Sequence, residues 1–241
     1  MPATADPLPE FLRLAAHPIR WRLLTELARS DRRGRELGTL LGRRQNLVAY
    51  HLGRLRDGRL VRAHRSSADG RDVYYRLDLG RCRQLLATTA TELHPALLAD
   101  PAPRPVRAPA RVLFLCTGNS ARSQIAEALL RARAGGTVQV ASAGSHPRPL
   151  ADRVGALLRA RGVDPAGLRA KHVDDVADGA FDLVITLCDR VREVCPDVEP
   201  GAAHVHWSVP PPDPADPAAL EAIADDLEAR IAFLLPTLAA A

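Results

Sequence analysis

Residues 111–123 read RVLFLCTGNSARS, and their order decides the fold of the second half of the chain. An apolar run ends in Cys116, small and polar residues follow from Thr117 to Ala121, and Arg122 and Ser123 open an amphipathic helical stretch, SQIAEALLRARA. The reading is strand, short loop, helix N-terminus. Free N–H groups at a helix start and the positive end of its dipole attract anions. Successive loop N–H groups can form a concave nest for the same purpose, and Gly118 and Asn119 tolerate the left-handed backbone that a nest needs. Arg122 adds a planar fork suited to phosphate or arsenate oxygens. The expected oxyanion-binding set is therefore Thr117, Gly118, Asn119, Ser120, Ala121, Arg122 and Ser123. Cys116 is the expected nucleophile, because the same positive field favours the reactive thiolate, and Ser123 is placed to donate to the sulfur. The spacing alone says little, since 32 of 241 residues are Arg; the strand, the GNS core and the following helix carry the reading. A Gly-rich loop ending in Gly-Lys-Ser/Thr is absent, so ATP and GTP are not the expected ligands.

Outward from this stretch, strand-like runs recur at 138–143, 182–187 and 203–207, with helical segments at 123–134, about 149–161 and about 215–235. Alternating strands and helices imply a parallel sheet covered on both faces, with ligands at the carboxyl ends of the strands. Cys116 ends one strand and Cys188 another, in FDLVITLCDRVREVC, where Cys195 follows seven residues on. An intact helix would hold those two sulfurs too far apart to bond, so pairing requires the segment between them to loop or unwind. His204 and His206 share a strand, and packing is their expected role.

CTGNSARSQIAEALL, SAG at 142–144, TLC with Cys195-Pro196 beyond it, HW at 206–207 and Asp213-Pro214 together resemble the thioredoxin-coupled arsenate reductases, which share the low-molecular-weight tyrosine phosphatase fold. The resemblance covers about 111–235. It implies a four-stranded parallel sheet in a three-layer α/β domain. It also implies that Arg122 and the loop amides bind arsenate, that Cys116 attacks arsenic, and that Asp213 (with Asp216 as fallback, since SVPPPDP is a longer spacer) protonates the departing hydroxide. Cys188 and then Cys195 carry the oxidation outward to thioredoxin or a similar dithiol, with no bound redox cofactor. A potassium ion supporting the loop through Asn119, Glu127, Ser142 and Asp174 is a further implication.

The first half differs in charge. Residues 1–100 carry a net +7, residues 101–110 add +2, and residues 111–241 carry a net −4. A basic half joined to an acidic half points to a polyanionic partner for the former. Apolar spacing marks helices over 8–29, broken at Pro18, then RELGTLLG, then QNLVAYHLGRLRDG, with Val48, Leu52 and Leu55 as its apolar stripe. LVRAHR and RDVYYRL flank SSADG, a two-stranded wing turning at Asp69-Gly70, and a closing helix covers about 80–98. Helix, turn, helix and hairpin in a basic module read as a winged helix-turn-helix of the α+β class. Arg44, Gln45, Asn46, Tyr50 and Arg54 are its candidate duplex DNA contacts, with Arg65 and Arg71 on the wing. LAAHPIRWRLLTEL, LVAYHLGRLRDGRLVRAHR and DVYYRLD resemble the ArsR/SmtB family of repressors, which implies a homodimer through this domain. The helix before QNLV has no paired cysteines, and Cys82, alone in this half, is expected to pack rather than sense. His51 is expected to be a core histidine.

The expected organisation is therefore a DNA-binding domain over 1–98, a Pro-rich linker over 99–110 and a reductase-like domain over 111–241. No run approaches the ~18 apolar residues of a membrane span, and MPATADPLPEF is not a signal peptide. A cytoplasmic location, where thiols stay reduced, follows as the expectation. The leading reading is an arsenical-responsive regulator fused to its own arsenate reductase. A phosphotyrosine phosphatase fused to a DNA-binding module, and a non-catalytic oxyanion or redox sensor, remain open beside it.

Overall fold

The computed structural model describes residues 8–94, 97, 110–194, 201–213, 215–216 and 218–238. The chain divides into two compact units, the first of residues 1–65 and 71–103 and the second of residues 66–70 and 104–241. The expected linker 99–110 lies, except for Ala110, outside the described residues.

In the first unit, α1 (Glu10–Ala15) is followed by α2 (Pro18–Arg29). The proline that breaks the helical pattern is the first residue of α2, where its missing N–H costs nothing, and His17 Nδ1 accepts from the Ile19 N–H at 3.1 Å. After α3 (Gly34–Leu41), Gly42 adopts the left-handed conformation at φ 61° and turns the chain into α4 (Gln45–Asp57). Strands β2 (Val61–Arg65) and β3 (Val73–Leu77) pair antiparallel with Ala63 opposite Tyr75, and α5 (Leu79–Leu93) closes the unit. One element goes beyond the two-stranded expectation. Strand β1 (Arg32–Arg33) pairs with the free edge of β3, giving a three-stranded sheet ordered β1-β3-β2. Two residues are too short to show any alternation, so no sequence period betrays it. Leu23, Leu27, Leu37, Val48, Leu52, Leu55 and Leu60 form the core.

The second unit is built on β4 (Ala110–Cys116), β5 (Val138–Gly144), β6 (Leu183–Thr186) and β7 (Ala203–His206), all parallel and ordered β5-β4-β6-β7. Helices α6 (Arg122–Ala134), α7 (Asp152–Ala160), α8 (Asp189–Val194) and α9 (Ala219–Leu238) accompany the strands, with a 3-10 segment at Val173–Gly179. The central strand β4 is buried from Val112 to Cys116, as a strand covered on both faces must be. Helix α6 departs from the amphipathic expectation: every residue from Ser123 to Leu130 is buried, because β4, β5 and α9 all pack on it. Its buried Ser123, Gln124 and Glu127 therefore need partners inside the protein: Ser123 and Gln124 find theirs in Asn119 of the loop before the helix, and Glu127 finds its own in Ser142, Arg131 and Lys171. No helix among the described residues is long and apolar enough to cross a membrane.

Candidate active site

The chain runs from β4 to β5 on one side and then crosses to β6 on the other. The carboxyl end of β4 is thus the point where strand order reverses, the usual place for a ligand crevice in an open parallel sheet. Cys116 sits there, paired in register with Gly144, and Leu115 pairs with Thr186 across the other edge.

The loop after Cys116 has a definite polarity. The Thr117 carbonyl accepts from His146 N (2.8 Å), the Gly118 carbonyl from Arg148 N (2.9 Å) and the Ser120 carbonyl from Ala151 N (2.9 Å). The Asn119 carbonyl accepts from Gln124 Nε2 at 3.1 Å. No peptide among the described residues is cis. In a trans peptide the N–H points opposite to the C=O. Four carbonyls anchored outward therefore turn the N–H groups of Gly118, Asn119, Ser120 and Ala121 toward the opposite side. One of these contacts is direct: Asn119 N donates to Cys116 Sγ at 3.2 Å. The result is a nest of donors beside a sulfur.

Asn119 is the hub. It alone in the loop takes a left-handed φ (43°); Gly118 does not. Its Nδ2 donates to Ser123 Oγ (2.9 Å) and Ser142 Oγ (2.8 Å), and its Oδ1 accepts from Gln124 Nε2 (3.0 Å) and Lys171 N (2.8 Å). Ser123 Oγ in turn lies 3.0 Å from Cys116 Sγ. Gly144 explains the SAG motif: a Cβ there would meet Thr117 O at 2.7 Å and Asn119 N at 2.9 Å, so only glycine lets the loop pass over the end of β5. Arg122 is half-buried and spends one donor, Nη1, on the Val209 carbonyl (2.8 Å), which ties it to the segment leading to Asp213.

A second thiol adjoins the first residue of the loop. Cys188, buried just beyond β6, has Sγ 3.2 Å from Thr117 Oγ1. Helix α8 starts at the next residue and is intact to Val194, so the stretch between Cys188 and Cys195 is helical; Cys195 itself lies outside the described residues. The start of α8 is anchored. Asp189 Oδ1 lies 3.2 Å from His206 Nε2 and also accepts from Ser208 Oγ, while His206 Nδ1 is 2.8 Å from Thr186 Oγ1. Burial alone would raise the Asp189 carboxyl, but the hydrogen bonds from His206 and Ser208 outweigh it and hold the group well below the ordinary carboxylate range. His206 is fully buried in this network, whereas His204 is exposed, so the two do not form a pair.

Other candidates fall out as follows. Asp213 is exposed and its Oδ1 accepts from Ala215 N (2.8 Å), opening a turn, while Asp216 does the same for Ala218 N near the start of α9. Of the four residues named for potassium, Asn119, Ser142 and Glu127 converge, with Ser142 Oγ donating to Glu127 Oε2 at 2.5 Å. Asp174 stands apart, 84% exposed and 3.1 Å from His172 Nδ1. In the first unit Arg44, Gln45, Asn46, Tyr50, Arg54, Arg65 and Arg71 are all exposed. The Gln45 amide lies back over α3, so close that a Cβ on Gly34 or Gly38 would stand 3.0 Å from it. Packing on α3 therefore engages Gln45 directly. His51 is buried with its ring 4.3 Å from that of His17. Burial, then Asp78, pushes the Cys82 thiol up to about 11, which keeps it protonated and inert. Gln124, Lys171, Asp189 and Ser208 were not read as site residues from sequence. Only the uncommon sight of polar residues inside an apolar helix signals the first.

The profile of the low molecular weight phosphotyrosine protein phosphatase family matches residues 111–241, more than half of the chain. The chain belongs to this phosphatase family. Among its relatives, arsenate reductase 1 of Bacillus cereus is 35% identical over 134 residues, covering 50% of this chain and 90% of that protein. An arsenate reductase of Brevibacillus brevis is 31% identical over 120 residues, with the same coverage. A solved thioredoxin-dependent arsenate reductase of Corynebacterium glutamicum is 32% identical, covers 66% of this chain and 71% of its own, and has a TM-score of 0.46.

Two outcomes follow from this geometry. Gly144→Ala forces the family's loop off β5; overpacking of about 1–3 kcal/mol should weaken inorganic phosphate binding by about tenfold or more in titration calorimetry. An unchanged affinity would contradict the close approach. The second concerns Asp189. A carboxylate held below its unfolded value stabilises the fold above the ordinary carboxylate range, and that contribution drains as the pH falls through and below it. Asp189→Asn should lower the unfolding midpoint at pH 7 and shrink the loss between about pH 5 and pH 3; identical pH profiles for mutant and wild type would remove the anchor.

Proposed function

We propose that the second unit reduces arsenate to arsenite, and that the first unit is an ArsR-type winged helix-turn-helix that binds duplex DNA as a homodimer. The observation that carries the reductase reading is the 3.2 Å approach of Cys188 Sγ to Thr117 Oγ1. A second buried thiol beside the oxyanion loop has no task in phosphate hydrolysis, but a direct one in thiol relay.

The chemistry runs in three displacements. The loop amides and Arg122 hold arsenate while the Cys116 thiolate attacks arsenic, forming an S–As bond; Asp213 protonates the departing oxygen, which leaves as water. The Cys188 thiolate then attacks Cys116 Sγ. The S–As bond breaks, its electron pair stays on arsenic, and arsenite leaves as a Cys116–Cys188 disulfide forms. Cys195 attacks Cys188 Sγ, freeing the Cys116 thiolate, and an external dithiol such as thioredoxin reduces the Cys188–Cys195 bond by exchange. This last exchange requires α8 to open: the six helical residues between the two cysteines alone rise about 9 Å, beyond the roughly 7 Å that a disulfide allows between Cα atoms.

For the first unit, the exposed Arg44 just before α4 and the exposed Asn46, Tyr50 and Arg54 on it support groove contact, with Arg65 and Arg71 on the hairpin for phosphates. The exposed Leu12 of α1 and Leu86 and Leu93 of α5 support pairing of two copies through these helices. The competing reading, phosphotyrosine hydrolysis, is favoured by the family's description and by the same Cys116, Arg122 and Asp213.

A thioredoxin-coupled assay on wild type, Cys116→Ser, Cys188→Ser and Cys195→Ser separates these. Wild type should turn over arsenate repeatedly, Cys116→Ser not at all, and Cys188→Ser and Cys195→Ser should stall within one cycle. Sustained cycling by Cys188→Ser rules out the relay, and aryl phosphate hydrolysis without arsenate turnover makes the protein a phosphatase. For the regulator, duplex affinity of the full chain should fall steeply and log-linearly with salt, and Arg54→Ala should weaken it by about 1–3 kcal/mol. No salt-dependent duplex binding at any operator-length sequence sinks the DNA-binding assignment.

A further inference from the structure

We infer that Lys171 supplies, as a fixed ammonium, the positive charge that a potassium ion would bring to the loop, so that the oxyanion loop of this chain is organised without a monovalent cation. The inference rests on reading residues 117–123 as an oxyanion cradle.

The composition gives the first reason. Of the chain's 33 basic residues only Lys171 is lysine; all others are arginine. An ammonium is a compact point charge, whereas a guanidinium is a wide plane. The one position with the compact cation lies against the loop's hub. Lys171 Nζ is 3.3 Å from Glu127 Oε2 and 3.2 Å from the Arg169 carbonyl, with the lysine side chain 14% and the glutamate 4% exposed. The backbone on both sides of that ammonium is also tied in: Lys171 N donates to Asn119 Oδ1 (2.8 Å) and Lys171 O accepts from Gly144 N (3.0 Å).

The donor set gives the second reason. A cation site needs oxygen lone pairs aimed at one point. Here Asn119 Oδ1 faces two N–H groups, Lys171 N and Gln124 Nε2, which fixes the amide so that its NH2 points at Ser142 and Ser123. A donor thus occupies the side on which a cation would need an acceptor. The Glu127 carboxylate is already matched by two cations, Arg131 on Oε1 and Lys171 on Oε2, and Ser142 also donates to it. A third positive charge beside this buried pair would be repelled by both. Asp174, the fourth oxygen donor, is turned to solvent. A hydrogen-bonded path instead leads from Lys171 through Glu127, Ser142, Asn119 and Ser123 to Cys116 Sγ. Lys171 is a positioning residue in this path and touches no substrate.

The test uses the full-length protein and inorganic phosphate as the probe, in KCl or NaCl at equal ionic strength. Phosphate affinity is read by titration calorimetry and stability by the thermal midpoint. Wild type should give the same affinity and midpoint in both salts. Lys171→Met should lose phosphate affinity by about tenfold or more in NaCl, equivalent to about 1.4 kcal/mol, and should recover affinity and midpoint in KCl more than in NaCl. A wild type that responds specifically to potassium overturns the inference without any variant. So does Lys171→Met with wild-type affinity in NaCl, or with a loss that potassium does not preferentially restore. Neither readout requires arsenate turnover, so failure of the reductase reading is seen separately. A wild type that binds no phosphate discredits the cradle, and the paired midpoints still judge Lys171.

Discussion

Everything in the second unit depends on which way four carbonyls face. A short loop between a buried strand and a buried helix has as many acceptors as donors, and its polarity is set by whichever are taken first. The segment from His146 to Ala151 takes three carbonyls from one side, and Gln124 takes the fourth from within α6. What is left over is a concentration of N–H groups with one polarised sulfur among them. The anion preference proposed for the loop is therefore not a property of the residues 117–121 themselves, most of which are small and uncharged, but of the scaffold that consumes their oxygens. Preorganised donors of this kind act without reorientation cost when charge develops on a bound group.

The buried polar residues of α6 are best understood in the same light. Ser123, Gln124 and Glu127 face a sheet and a second helix where apolar side chains would pack as well, and burying them requires complete hydrogen bonding. Ser123, Glu127 and the Gln124 Nε2 are satisfied by the loop or by what holds the loop, whereas Gln124 Oε1 has no hydrogen-bond partner among the described residues. The helix thus trades core packing for control of a left-handed asparagine, a backbone state costing a non-glycine residue of order 1 kcal/mol. Strain at Asn119 and polar burial in α6 are two parts of one device.

Much of this was legible in the sequence. The alternation of strands and helices, the position of Cys116 at a strand end and the hairpin at Asp69-Gly70 follow from local periodicity and turn chemistry, which act over a few residues. What escaped did so because it is non-local. Strand β1 exists only because β3 has a free edge. Lys171 lies 52 residues from Asn119 and 44 from Glu127, and nothing between them marks the approach. Asp189 reads as an ordinary helix-starting acid until His206 and Ser208 are brought beneath it. The approach of the Gln45 amide to Gly34 and Gly38 of α3 is likewise invisible to sequence spacing. Gly118 and Asn119 were equal candidates for the left-handed position, and only the ring of partners around the Asn119 side chain distinguishes them.

The folded state of α8 has an energetic consequence for the proposed relay. Closing a bond between the sulfurs of Cys188 and Cys195 must first melt part of that helix, whose first residue Asp189 is held by buried partners. Whatever free energy the melting consumes is stored in the oxidised protein and returned on reduction. For a two-electron couple, each ~1.4 kcal/mol of this spring shifts the midpoint potential by about 30 mV toward the oxidising side. A well-anchored helix between two thiols is in this sense a loaded one, and it would make the oxidised protein readier to pass its disulfide on than an unstructured loop with the same spacing.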